Sequence, residues 1–383
     1  MKQLRERKVI QGLLEAIHRR TSALGRGAVR IMEVCGTHTM TIHRYGLKDL
    51  LAQAGVEMIS GPGCPVCITP GAVHEAAIGL VTGREGLILA SFGDMTRVPT
   101  RRGSLQTVIP APGSMIKIVY SPQESLDLAA HHPDKEVVFF GVGFETTIPA
   151  IASALKQAGE AKRKNYSVLT ALWLIPPPLK AILESGEVKI SGFLYPGHVS
   201  AIIGLEPYAF IPRDYGLPGA VAGFEPGDIL LGIVNILGQL EKGRPEVGLE
   251  YSRVVAAAGN PLARRLMDEV LEVKDAVWRG LGLIPQSGLK PRERYAAWDA
   301  EAKFKLKIES DAGELPGCRC GEVLRGLISP PECRMYAKRC TPESPLGPCM
   351  VSFEGTCLVY HKYAQRSETG RTRAGTARKG LAS

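Results

Sequence analysis

Nine cysteines in 383 residues, six of them between 318 and 357, are the chain's first chemical signal. A thiolate is both a nucleophile and a soft metal ligand, so spacing decides which chemistry each cysteine suits. Gly61–Cys67 reads GPGCPVC, placing Cys64 and Cys67 in a C-x-x-C flanked by Gly and Pro. Two sulfurs at that spacing either form a disulfide/dithiol couple or share a metal. No second C-x-x-C is present to complete a zinc ribbon. Cys67 falls near the start of the following helical pattern, whose dipole favours the thiolate. Cys35 stands alone in CGTHTMTIH, with His38 three residues on and His43 eight on. Thiolate plus imidazole suits iron or copper. The rival is a Cys–His nucleophile, for which no oxyanion hole or acyl substrate is identifiable. The late cysteines run Cys318-x-Cys320, then Cys333, Cys340, Cys349 and Cys357. Single cysteines spread through a Pro/Gly-rich wrap suit a four-thiolate iron–sulfur cluster, with zinc and disulfides as the alternatives. Cys333, Cys340, Cys349 and Cys357 form a regular quartet, and Cys318 and Cys320 are extra.

These residues need a frame. From about residue 28 to 225, short β-rich runs alternate with helical patterns: VRIMEV, VEMIS, LILASF, IKIVY, VVFFGVGF, SVLTALWLI and ISGFLY are the strands. Strands alternating with helices of 10–15 residues predict parallel α/β layers. Ligands in such sheets bind outside the carboxyl ends of the strands. Cys35 and His38, Cys64 and Cys67, Asp94, Glu145 and His198 all follow apolar strands, so five placements would line one face. Glu145 lies in GFETT, a strand-to-helix junction where Thr146 is also a plausible helix cap. No Walker phosphate loop occurs.

The predicted organisation is two related parallel, Rossmann-like α/β units followed by a mostly helical, cysteine-rich domain. An amphipathic helix occupies 1–30, the α/β units 31–117 and 118–225, and the cysteine domain 226–361. A basic tail, 362–383, is expected to be disordered.

The formal charge of +9 raises the question of nucleic acid. Residues 1–30 hold eight Lys/Arg against two Glu, and residues 362–383 hold six against one, so the body is nearly neutral. Basicity confined to the ends, without a nucleic-acid motif, argues against that partner. The N-terminus lacks the apolar core of a signal peptide and no run is long enough to span a bilayer. The expected compartment is the cytoplasm, where this many cysteines imply metal or redox chemistry.

Taken together, the strings CGTHT (35–39), GPGCPVC (61–67), SFGDMTRVP (91–99), GFETT (143–147), PGHVS (196–200), CRCGEVLRG (318–326) and GPCMVSFEGTC (347–357) resemble the HypD family of hydrogenase maturation factors. The resemblance implies two α/β units plus a domain holding a [4Fe-4S] cluster on Cys333, Cys340, Cys349 and Cys357. It implies a redox-active scaffold on which the Fe(CN)2CO group of [NiFe] hydrogenases is assembled, with a HypC-type chaperone and a HypE-type cyanide donor as partners. Cys35 would hold the Fe(II) that receives cyanide and CO, with His38 beside it. Cys64 and Cys67 would be a thiol/disulfide pair between iron and cluster. A general thiol–disulfide oxidoreductase fed by a cluster is the rival function.

Overall fold

The computed structural model describes residues 2–25, 27–308 and 315–363. The basic tail expected over 362–383 lies outside the described residues from 364 onward. The two α/β units are present as two sheets. The first has the order β2-β1-β7-β8-β9 and is parallel throughout, with β1 Val29–Glu33, β2 Val56–Ser60, β7 Gly192–Pro196, β8 Gly219–Ala222 and β9 Val247–Leu249. The second has the order β10-β11-β6-β5-β3-β4. Its parallel strands are β3 Leu87–Ser91, β4 Met115–Ile118, β5 Glu136–Gly143 and β6 Tyr166–Trp173. An antiparallel hairpin, β10 Leu271–Trp278 and β11 Gly282–Pro291, completes its edge. Every residue of β3 and β6 is buried, as expected where helices cover both faces of a parallel sheet.

The strands do not sort at residue 118. The chain lays down β1 and β2, crosses to the other sheet for β3–β6, returns for β7–β9, and crosses again for the hairpin. Alternation predicts strand and helix order, but strand neighbours are chosen by non-local pairing: Leu87 pairs with Glu136, not with anything on β2. In 226–361 the helices Pro226–Lys242 and Pro261–Val270 match the predicted ones. The helical pattern read through NPLARRLMDEVLEV ends at Val270, where the period-2 run LEVKDAVW takes over and pairs as β10.

The predicted amphipathic helix is Arg7–Leu24. It packs on the helix Pro226–Lys242 through fully buried Ile17, and the Arg5–Glu225 and Arg20–Glu241 ion pairs join the two segments. Among the described residues no helix is long and apolar enough to cross a membrane.

The largest core cluster bridges both sheets, running from Met32, Phe193 and Tyr195 to Phe140, Trp173 and Trp278. Cys64, Cys67, Cys320 and Cys349 belong to it. The sulfurs therefore sit in the hydrophobic seam between the sheets, where burying each large side chain contributes roughly 1.5–3 kcal/mol.

Candidate functional site: three neighbouring sulfur groups

Strand β1 ends in Glu33, an acid with 2% exposure, and Cys35 then caps the helix Gly36–Arg44. Glu33 Oε2 accepts the Cys35 N–H at 2.9 Å, and Oε1 accepts the Thr39 hydroxyl. Burial outweighs these bonds and pushes the Glu33 carboxyl up to about 7. The Cys35 thiol is pushed up to about 12, first by burial and then by the Glu354 carboxylate, against the backbone N–H groups of His38 and Thr37. As it stands Cys35 is a protonated thiol, and a bound cation would favour its ionisation.

Glu354 comes from the last cysteine-rich stretch. It accepts the Thr37 hydroxyl at 3.0 Å and packs on Gly36 so closely that a Cβ there would overlap its backbone. The same stretch is tied to the SFGDMTR loop: Phe353 N–H donates to Asp94 at 3.2 Å and Arg97 donates to the Val351 carbonyl at 2.6 Å. Asp94 thus anchors the strap that carries Cys349 and Cys357 to the Cys35 loop.

The C-x-x-C loop lies directly beside Cys35. Gly61 N–H donates to the Glu33 carbonyl at 2.8 Å and Gly36 N–H to the Gly63 carbonyl at 3.1 Å. A Cβ on Gly63 would stand 2.5 Å from Cys35 Cα, so only glycine permits this approach. Cys64 caps the short helix Pro65–Ile68, its sulfur accepting the Cys67 N–H at 3.2 Å. Cys64 and Cys67 are joined in a disulfide with Cα atoms 5.2 Å apart, and both are buried. This short helix packs against the segments Cys320–Leu324 and Pro348–Met350.

Those two segments form part of the third group. Cys318, Cys320, Cys333, Cys340, Cys349 and Cys357 all line one cavity, with Met335, Tyr336 and Met350. Interaction with the neighbouring Cys318 and Cys349 pulls the Cys320 thiol down and pushes theirs up. Cys357 also pushes Cys349 up, and burial raises Cys340. Among the described residues no three His, Cys, Asp or Glu side chains are preset at metal-ligand geometry. The cavity is lined by thiols, whose protons a metal would displace. Its donor chemistry nevertheless fits an iron–sulfur cluster: more than four thiols in one apolar cavity, with the Leu346 N–H already on Cys340 Sγ at 3.3 Å.

The remaining candidates separate. His38 is buried, but its ring turns from Cys35 toward β8, with Nε2–H on the Gly223 carbonyl at 3.1 Å and the Ala222 carbonyl at 3.3 Å. Its Nδ1 is buried without a hydrogen-bond partner, and burial pulls the ring down to about 4. His198 stacks on Phe224 with ring centres 3.9 Å apart, and Phe224 in turn lies 5.2 Å from the His38 ring. His43 instead lies against Tyr360, ring centres 4.1 Å apart, and is not part of the Cys35 group. Glu145 is buried, with Oε1 accepting the Ile175 N–H at 2.9 Å, Oε2 without a partner, and a carboxyl pushed up to about 7 by burial.

Sequence reasoning missed Glu33, Glu354 and Arg97. Glu33 had a signal, an acid closing an otherwise apolar strand, and Glu354 lay inside a noted string without being singled out. Arg97 likewise lay inside the noted string SFGDMTRVP without being singled out.

Cysteines from three distant stretches are gathered between two α/β sheets, one parallel and one mixed. A family model for HypD, described as "Hydrogenase formation hypA family", matches residues 8–364. The hydrogenase maturation factor HypD of Rhodobacter capsulatus is 44% identical over 368 residues, covering 94% of this chain and 97% of its own. Those of Azotobacter vinelandii and Escherichia coli are 43% and 41% identical, over 88% and 93% of this chain and 90% and 96% of theirs. The chain belongs to the HypD family of hydrogenase maturation factors.

Proposed function

We propose that the chain is a cytoplasmic redox scaffold on which the Fe(CN)2CO group of [NiFe] hydrogenases is assembled. The observation that carries this reading is the backbone contact of Gly63 with Cys35, together with the packing of the Cys64–Cys67 helix on the Cys320 and Cys349 segments. Cys35 holds the incoming Fe(II) as a soft anchor, beside the buried Glu33 carboxyl and the half-buried Glu354. A HypC-type chaperone supplies further ligands and a HypE-type protein delivers cyanide. The Cys64–Cys67 disulfide takes up two electrons and two protons to give a dithiol, which stores reducing equivalents next to the iron. Cys333, Cys340, Cys349 and Cys357 are the residues that hold a [4Fe-4S] cluster, which supplies single electrons when bound. Glu33 and Glu145, with carboxyls raised to about 7, are groups that can hold or release protons near neutrality.

The rival reading, a general thiol–disulfide oxidoreductase, is disfavoured by exposures of 3% for Cys64 and 0% for Cys67. A protein substrate cannot reach such sulfurs without the seam opening. The test is infrared spectroscopy of the chain co-expressed with its partners. The Cys35→Ala variant is expected to lose the cyanide and CO bands while keeping its iron–sulfur absorbance. Undiminished bands in that variant remove Cys35 as the anchor.

A further inference from the structure

Arg279 occupies the turn between β10 and β11, far in sequence from every cysteine motif, yet it is 93% buried by virtue of a 7% exposure. Its backbone N–H donates to the Ile68 carbonyl at 2.8 Å, and its guanidinium donates to the Thr69 carbonyl at 3.2 and 3.1 Å. These carbonyls end the short helix that carries Cys67, where no further turn exists to satisfy them. On its other side the guanidinium shares a cavity of about 550 Å³ with Cys318 and Cys320. The next residue, Gly280, lies backbone to backbone against Gly321. Burial pulls the Arg279 pKa down, whereas the sulfurs of Cys320, Cys318 and Cys349 act to hold its charge. One buried cation therefore touches the end of the disulfide helix and lines a cavity with Cys318 and Cys320.

We propose that Arg279 is a positioning residue that sets the redox balance of the Cys64–Cys67 couple, its buried charge favouring the reduced sulfurs. The inference rests on the redox reading of that couple and adds the residue that tunes it. Reduction breaks the Cys64–Cys67 bond and places two electrons on the sulfurs, each of which takes a proton or remains thiolate. With electrons from a dithiol or iron–sulfur reductant, a reduced couple that keeps one sulfur as thiolate gains one negative charge, which a fixed cation in a low-dielectric seam stabilises, shifting the equilibrium toward the reduced form. By capping Ile68 and Thr69 it also keeps the helix seated against the Cys320 and Cys349 segments.

The experiment equilibrates the full-length chain, without oxygen, in mixtures of reduced and oxidised dithiothreitol. The state of Cys64 and Cys67 is read by differential alkylation and peptide mass spectrometry. Arg279→Met is expected to shift the equilibrium constant at least tenfold toward disulfide, equivalent to about 30 mV for this two-electron couple. Arg279→Lys, which keeps the charge, is expected to stay within threefold of the parent. A Met variant within threefold of the parent overturns the proposal, as does a Lys variant shifted as far as Met, which would make the effect a matter of hydrogen-bond geometry. If the Met variant does not fold, the Lys variant decides alone: within threefold supports the proposal and tenfold overturns it. The couple is read at its own peptides, so the result stands apart from whether the chain contains iron and sulfide.

Discussion

Replacing Glu145 by Gln removes one ionisable group from the seam and leaves its shape nearly unchanged. The carboxyl is fully buried, one oxygen accepts the Ile175 N–H, and the other has no hydrogen-bond partner. Its pKa is displaced from 4.5 to about 7, chiefly by burial. In the unfolded chain the proton leaves above about 4.5; in the folded chain it stays until about 7. The folded state therefore binds more protons across this window, and stability falls as pH rises through it. At about 1.4 kcal/mol for each pH step of displacement, the full loss is about 3 kcal/mol, reached above pH 7. Urea unfolding of parent and Glu145→Gln at pH 5, 6, 7 and 8 measures it. The stability difference between the two is expected to move by about 2–3 kcal/mol against the parent from pH 5 to pH 8. Most of this change falls below pH 7. Subtracting the variant cancels Glu33 and every other shared titration. Parallel pH profiles, with a difference constant to a few tenths of a kcal/mol, would refute the claim that Glu145 is protonated inside the seam.

Two structural predictions accompany it. Gly36→Ala forces a Cβ into Glu354 and should lift the 349–355 strap from the Cys35 loop, raising amide hydrogen exchange in both segments at least tenfold. Unchanged exchange there would mean that the strap does not rest on Gly36. Trp278→Ala deletes a fully buried ring that contacts Trp173 and Phe144 and donates to Ser287 at 2.9 Å, and should cost about 3–5 kcal/mol in denaturant unfolding. A loss below about 1 kcal/mol would show the hairpin to be dispensable to the seam.

Much of the frame was legible because buried parallel strands are written as local apolar runs: LILASF, VVFFGVGF and SVLTALWLI match the strands Leu87–Ser91, Glu136–Gly143 and Tyr166–Trp173 to within two residues at each end. Which sheet each joins was not legible, because the Ile31–Gly192 pairing joins residues that share no local pattern. The cysteines announced themselves through sulfur chemistry, whereas the contact of Gly63 with Cys35 is a tertiary approach that no local pattern encodes. His43 was misleading for a geometric reason. Five residues along a helix is a rotation of about 140°, so His38 and His43 leave opposite sides of Gly36–Arg44. Arg279 carried no sequence signal, since its importance comes only from a turn that tertiary packing drives against Thr69.

The account depends most on the late cysteines holding iron and sulfide rather than each other or zinc. Metal and acid-labile sulfide analysis of the full-length chain, purified without oxygen, addresses this directly. The expected result is about four iron and four sulfide per chain, the content of one cubane cluster, falling sharply in Cys349→Ser. Stoichiometric zinc without sulfide, or iron content indifferent to Cys349, would contradict it.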